Sequence, residues 1–433
     1  TGGHRIPFII LVGSLLATWC GGGGITGSAG VVYSGGPWVG AITFAAPPIG
    51  IILLYFIAGK VRKSNKVTVP EIMEARYGKT ASIISALCVM LAYVGVLATQ
   101  LKAAADILVL LCSSSGVELS HGMALTICTV VIVVITVGGG MVSVAYSDAV
   151  SALIMIGGFF LAIPFLINVA NSQGLTLPEA KTTITGGMSG VEILGYFLPS
   201  LALMLGDQNM LQRFASAKNS DEAKKSNIGM FIGEILVVAS IIALVTQAAK
   251  LYPTLETPSN VIFQVAVDYL PLAFGALVMC ACMAFIVTTA DSYLLVSVQT
   301  VVSDLGKTFH PQMSEKQEIL FSRIASVVLA LGALVIALYI KSAYDVLMFA
   351  WAFYAAAAGL PALAALYWKK ATKAGIIAGM LGGFFVTVGW KLVGQPFGLG
   401  ATVPGAITCG VLLAAVSLAT FRSAPAVAVD PDR

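Results

Sequence analysis

The sequence predicts an all-α polytopic membrane protein, on three observations. The chain of 433 residues is 58% apolar and only 10% charged, with a mean hydropathy of +0.94. Soluble globular domains do not reach that balance. The apolar residues gather into about twelve runs long enough to cross a bilayer. The Lys and Arg residues cluster in alternate joints between those runs, as orientation in a membrane requires.

In order, the runs fall at about 6–33, 37–59, 79–112, 121–137, 141–168, 192–206, 226–249, 264–304, 318–341, 344–367, 372–393 and 401–421, their ends uncertain by a few residues. If the first starts in the cytoplasm, its joints and both chain ends hold all but Lys102, Lys181, Lys250, Lys341 and Lys391 of the 24 Lys and Arg. Both ends are therefore expected on the cytoplasmic side, in a bacterial inner membrane. Gln212 to Lys225 reads as a short helix on the inner surface. The tail 422–433, rich in Ala, Pro and Asp, reads as disordered. The chain opens on Thr rather than Met, and further residues are expected to precede it.

The first run contains Ala17-Thr18-Trp19-Cys20 followed by four glycines, Gly21 to Gly24. Each glycine costs a helix about 1 kcal/mol relative to Ala. The backbone is free to unwind here, which inside a bilayer is tolerated only around a cavity or within protein. The sixth run carries Pro199 and ends on Gly206-Asp207. Two interrupted runs at matching places, five apart, are the mark of an inverted repeat in a secondary transporter. A five-plus-five repeat would span runs one to ten and leave two peripheral helices. The expected division is 1–367 for the transport core, 368–421 for the two extra helices and 422–433 for the tail.

Charges inside spanning runs are costly and so are functional candidates. Asp148 sits about two turns into the fifth run, with no basic neighbour in sequence. In the eighth run Thr288, Asp291 and Ser292 stand at i, i+3 and i+4, hence on one helix face. Hydroxyls, carboxylates and carbonyls are the ligands an alkali cation needs. Asp148 and Asp291 are expected to share a bound cation, giving two sodium ions per cycle; the alternative is one sodium, with Asp291 protonated or bonded to a hydroxyl. Lys102 and Asp106, at i and i+4, read as an internal ion pair in preference to a substrate anchor. Tyr93 and Gln100 share a face able to point at a central cavity, and Trp19 is read as a wall of it. The seven cysteines lie mostly in apolar runs and read as small buried hydrophobes, with no disulfide and no zinc pattern. No nucleotide, haem or nucleophile motif is present, so neither an enzyme nor a nucleic-acid partner is expected.

The pattern resembles the sodium:solute symporter family (solute carrier 5-like) over essentially the whole chain. Four stretches carry the resemblance: Ala17 to Tyr33, Gly139 to Asp148, Gly206 to Arg213 (G-D-Q-N-M-L-Q-R) and Val287 to Ser292 (V-T-T-A-D-S). The family includes sodium-coupled transporters of proline, glucose, sialic acid, pantothenate and choline, and the A-T-W-C-G-G-G run looks most like the choline branch. The resemblance implies a LeuT-type fold, with one family helix preceding the ten-helix core. It implies a first sodium held by carbonyls of Ala17, Cys20 and Phe285 and hydroxyls of Thr288 and Thr289. It further implies a second sodium at Asp148, Thr288, Asp291 and Ser292. The substrate would lie among Trp19, Gly21, Gly24, Tyr93, Gln100, Leu203, Met204 and Asp207. The expected function is sodium-driven import of a small organic solute by alternating access, in a lipid bilayer and without an obligate protein partner. The alternatives are a proton-coupled permease of another LeuT-type family and a symporter-like sensor domain.

Overall fold

A computed structural model describes residues 6–64, 66, 68–139, 141–306, 310, 312–339 and 342–421. The tail expected to be disordered, 422–433, lies outside the described residues. Among those described, the structure is helical, and its one β-type contact is an isolated parallel bridge between Ile6 and Ala217. Eleven helices are long and apolar enough to span a membrane, and one further span is a bent pair.

That pair is the first run: α1 (Phe8–Trp19) and α2 (Gly22–Gly35) meet at 58° across the glycines. The second run is α3 (Pro37–Thr43) followed by α4 (Ala46–Ser64). A short helix, α5 (Val69–Tyr77), is capped by the Thr68 hydroxyl, which accepts from the Glu71 N–H. It precedes the 36-residue α6 (Lys79–Ser114). The next two spans are α7 (His121–Gly138) and α8 (Met141–Ser172). A loop then leads to α9 (Gly190–Gly206), started by a capping box between Ser189 and Glu192.

Here the structure departs from expectation. The polar stretch after Gly206 is no surface helix: α10 (Gln208–Ser216) is buried along its whole length, and α11 (Ser220–Leu251) begins only after a short link. The side chains of Gln208, Gln212, Arg213 and Ser216 find partners inside the bundle, so it dives inward instead of lying on the membrane face. The eighth run also starts later than hydropathy indicates. Val261–Asp268 forms a separate helix, α12, and Pro271, unable to donate an N–H inside a helix, sets the start of α13 (Leu272–Gln299).

A π-helical stretch, Thr300–Gly306, extends α13. There follow α14 (Glu315–Tyr339), α15 (Ala343–Tyr354), a second π-helical stretch Ala355–Gly359, and α16 (Leu360–Tyr367). The final two spans, α17 (Lys373–Leu392) and α18 (Thr402–Thr420), pack against each other and against the second π-stretch.

The centre is built by α1, α6, α8 and α13, with α11 and α15 closing the sides. Its contacts are close because small residues face one another. A Cβ on Gly206 would stand 2.6 Å from the Gly359 Cα, so the end of α9 reaches the π-stretch only as glycine.

Candidate functional site

The first helix break sits beside α13. The Thr289 hydroxyl lies between two backbone carbonyls, 2.7 Å from Ala17 O and 2.8 Å from Phe285 O, while the Thr288 hydroxyl donates to Phe285 O at 3.1 Å. Four of the five groups assigned to a first sodium thus converge across two helices. Cys20, the fifth, closes α1, its N–H on Leu16 O. The Ala17 carbonyl belongs to the last turn of α1, where carbonyls lack helical partners. Gly21 lets the strand between α1 and α2 pass against Thr289, since any Cβ there would strike that side chain. The Gly22 N–H, freed by the break, donates to Gln100 Oε1 at 2.6 Å. Gln100 is therefore a cap for α2 and not a cavity wall.

Asp148 is fully buried, and it has a basic partner that local sequence does not reveal. Arg213, on α10, brings its Nη2 to 3.2 Å from Asp148 Oδ2. The guanidinium also donates to Ser14 Oγ (2.9 Å, from Nε) and Ser292 Oγ (2.8 Å, from Nη2), and the Ser14 hydroxyl donates to the same Asp148 oxygen at 2.7 Å. Asp148 Oδ1 makes no hydrogen bond under the geometric limits met by its other contacts, and the Asp148 side chain lies near Thr288. The expectation that Asp148 lacks a basic partner is thus corrected. A resident guanidinium joins Asp148 to Ser292, and Asp291 turns away to accept from the Thr136 hydroxyl of α7 at 2.5 Å.

The second break, between α9 and α10, is wired by tyrosines. Tyr93 OH donates to Asp207 Oδ1 and accepts from the Asn209 N–H at 3.2 Å. Tyr354 OH donates to Gly206 O at 2.9 Å and accepts from the Gln208 N–H at 3.0 Å. The two rings stack with centroids 5.3 Å apart, and Tyr293 meets Tyr93 edge-on at 4.9 Å. Gln208 ties the break to the bundle, accepting from Val69 N–H at 3.1 Å and donating to Thr300 at 2.9 Å.

A cavity of about 40 Å³ lies against the first break, walled by Trp19, Cys20, Gly24, Tyr196, Ser200, Glu234 and Trp351 among others. Trp19 and Trp351 stack with centroids 5.2 Å apart and 18° between planes. Of the eight expected substrate residues, Trp19 and Gly24 line it; Gly21, Tyr93, Gln100, Leu203, Met204 and Asp207 do not. The wall from α9 comes from Tyr196 and Ser200, one helical turn apart, because Leu203 to Asp207 lie deeper, packed at the second break. Tyr196 and Tyr344, 5.5 Å between centroids, also border a larger chamber of about 600 Å³. There Lys102 pairs with Asp106 at 3.5 Å, as expected, and His121 joins that carboxylate at 2.9 Å.

Sequence reasoning missed Arg213 and Glu234, and the cavity walls Tyr196, Ser200 and Trp351. Among the described residues no group of three His, Cys, Asp or Glu is placed to hold a metal ion. The oxygen set at the first break is hard and weakly charged, which suits an alkali cation and not a transition metal.

An interrupted first helix against α13, with a cavity beside it, defines the class: a secondary transporter of LeuT-type fold. The profile of the sodium:solute symporter family matches residues 1–383, and the chain belongs to that family. It is 27% identical to the high-affinity proline transporter PutP of Bacillus subtilis over 387 residues, covering 85% of this chain and 79% of that one. It is 25% identical to the high affinity choline transporter 1 of Mus musculus over 370 residues, covering 79% of this chain and 62% of the relative. A solved Na⁺-coupled sialic acid symporter shares the fold with a TM-score of 0.77 at 15% identity, covering 96% of this chain and 91% of that one. MHP1, a nucleobase-cation-symport-1 family transporter, follows with a TM-score of 0.65 at 13% identity, covering 99% and 96%.

Proposed function

We propose that this symporter imports a small organic solute with one sodium ion per cycle, the ion held at the first helix break. The observation that carries the reading is the Thr289 hydroxyl set between the carbonyls of Ala17 on α1 and Phe285 on α13. Those oxygens, with Thr288 and the Cys20 carbonyl, replace a sodium ion's hydration shell only while the two helices stay together. Ion binding is thereby coupled to the position of α1, which also carries Trp19 into the cavity wall.

The count of one rests on Arg213. A second sodium beside Asp148 would compete with a tethered cation already bonded to Asp148 and Ser292. Asp291, bonded to Thr136, completes an internal contact and no ion shell. The solute occupies the Trp19–Trp351 cavity, reached from the larger chamber once Tyr196 and Tyr344 separate. The solutes named for the relatives, proline and choline, are of the size such a cavity admits when opened. The protein works in the cell membrane with both ends inside, residues 1–367 forming the transport core and 368–421 supporting it.

The test is uptake of a labelled solute panel into proteoliposomes, with and without an inward sodium gradient, and the charge moved per solute. Accumulation driven by sodium with a single coupled ion is expected. Uptake driven by a proton gradient and indifferent to sodium would overturn the reading; two coupled sodium ions would overturn the stoichiometry alone.

A further inference from the structure

Glu234 on α11 is 2% exposed and lines the cavity. Its Oε2 accepts from the Cys20 thiol at 2.9 Å, and the Trp19 side chain also donates to its carboxylate. Both partners are neutral. No Lys, Arg or His is among the described residues lining the cavity. In this it differs from Asp148, which has Arg213, and from Asp106, which has Lys102. A carboxylate at this depth is costly, and it persists where it serves a pathway or a ligand.

Three further features act in the same direction. The C-terminal end of α1 arrives at the cavity with Trp19 and Cys20, bringing the negative end of a helix dipole. Two stacked indoles line the same cavity as the carboxylate, and indole is the strongest aromatic partner for a cation. The remaining wall is largely apolar, with Phe44, Pro47, Val237 and Ile241, so a bare, strongly hydrated ammonium would lose its water without replacement.

We propose that Glu234 is the counter-ion for an alkylated ammonium group on the transported solute, received between Trp19 and Trp351. The stacked indoles part to admit the group, and their faces cover its methyl or methylene surface while Glu234 balances the charge. The head may belong to a simple cation or to a zwitterion; the carboxylate and the indoles recognise what the two share. The proposal rests on the cavity being the solute site, and it is tested by binding without any gradient. A failure of sodium coupling and a failure of ammonium recognition are thus distinguishable.

The experiment is scintillation-proximity binding of radiolabelled choline and radiolabelled proline to the purified full chain at fixed sodium. Competitors are each unlabelled compound and its nitrogen-free carbon isostere, 3,3-dimethylbutan-1-ol for choline and cyclopentanecarboxylate for proline. At least one ammonium compound is expected to bind saturably and to resist its carbon isostere. Glu234→Gln should weaken that binding on the order of ten- to a hundredfold, the size of a lost charge-assisted contact. Glu234→Asp should recover part of it. Binding to choline alone marks a cation, and to proline alone a zwitterion; either supports the proposal. An isostere competing as well as its ammonium parent, no saturable binding of either probe, or unchanged affinity in Glu234→Gln would overturn it. Should Glu234→Gln fail to fold, the isostere comparison on the unaltered chain still decides.

Discussion

At the break between α1 and α2 the chain spends glycine and leaves its backbone oxygens to hydroxyls of a neighbouring helix. At the break between α9 and α10 it spends tyrosine, Asp207 and Arg213, and nearly every freed group finds a side chain. Tyr354 takes both the Gly206 carbonyl and the Gln208 N–H; Tyr93 takes Asp207 and the Asn209 N–H. The first break is held by contacts that an ion can replace, and the second by contacts internal to the protein. The difference teaches which interruption moves with ligand and which one anchors the bundle.

The contrast predicts that damage to contacts internal to the protein, at either break, is read as lost stability, and damage to the oxygens facing α13 at the first break as lost ion affinity. Arg213→Met should have the largest effect. It strips the partner from buried Asp148, a loss of about 3–5 kcal/mol, seen as a lowered melting temperature in detergent. Adding Asp148→Asn to that variant should restore part of it, because the uncompensated charge is gone. A fully stable Arg213→Met protein with altered sodium stoichiometry would break the comparison.

Gln100→Leu comes next. It leaves the Gly22 N–H of α2 without its acceptor, at about 1–3 kcal/mol, and the same melting assay should find it between the other variants. Thr289→Ala removes one oxygen from the proposed ion shell. The expected result is a normal melting temperature and sodium half-saturation raised on the order of tenfold, the equivalent of one ligand. Unchanged sodium half-saturation would remove the ion from this place. Tyr354→Phe is the mildest: about 0.5–1.5 kcal/mol of stability, with sodium half-saturation unmoved. A clear shift in sodium affinity there would show the two breaks to be functionally alike.

The first break was legible because glycine acts on the backbone itself, and four in succession leave no competing account. The Thr288–Thr289 pair was legible through spacing on one helix face. Arg213 was not, since Gln212, Arg213, Lys218 and Asn219 in sequence look like a hydrated surface helix. Only the tertiary fold reveals that Ser14, Asp148 and Ser292 lie ready for the guanidinium. The signal available was position: Gln208 with Gln212, and Asn209 with Arg213, repeat at i and i+4 directly after a broken helix. Glu234 had the plainer signal. It is the one acid within the apolar run 226–249, and the reasoning that singled out Asp148 and Asp291 applies to it equally. The cavity's other walls, Tyr196, Ser200 and Trp351, depend on helix rotation and the depth of the second break, which hydropathy does not encode.

With the single coupled sodium proposed above, Arg213 also sets the electrical character of the transport cycle. A mobile ion beside Asp148 would be delivered with every turnover, whereas a tethered guanidinium stays and leaves its pair neutral. Current then reports only the travelling species: one elementary charge per turnover for a zwitterion with sodium, two for a cation with sodium. Each is driven inward by about 2.3 kcal/mol per 100 mV of membrane potential. A cell holding its interior negative would therefore concentrate a cationic solute far more steeply than a zwitterionic one, through the same protein and the same single ion.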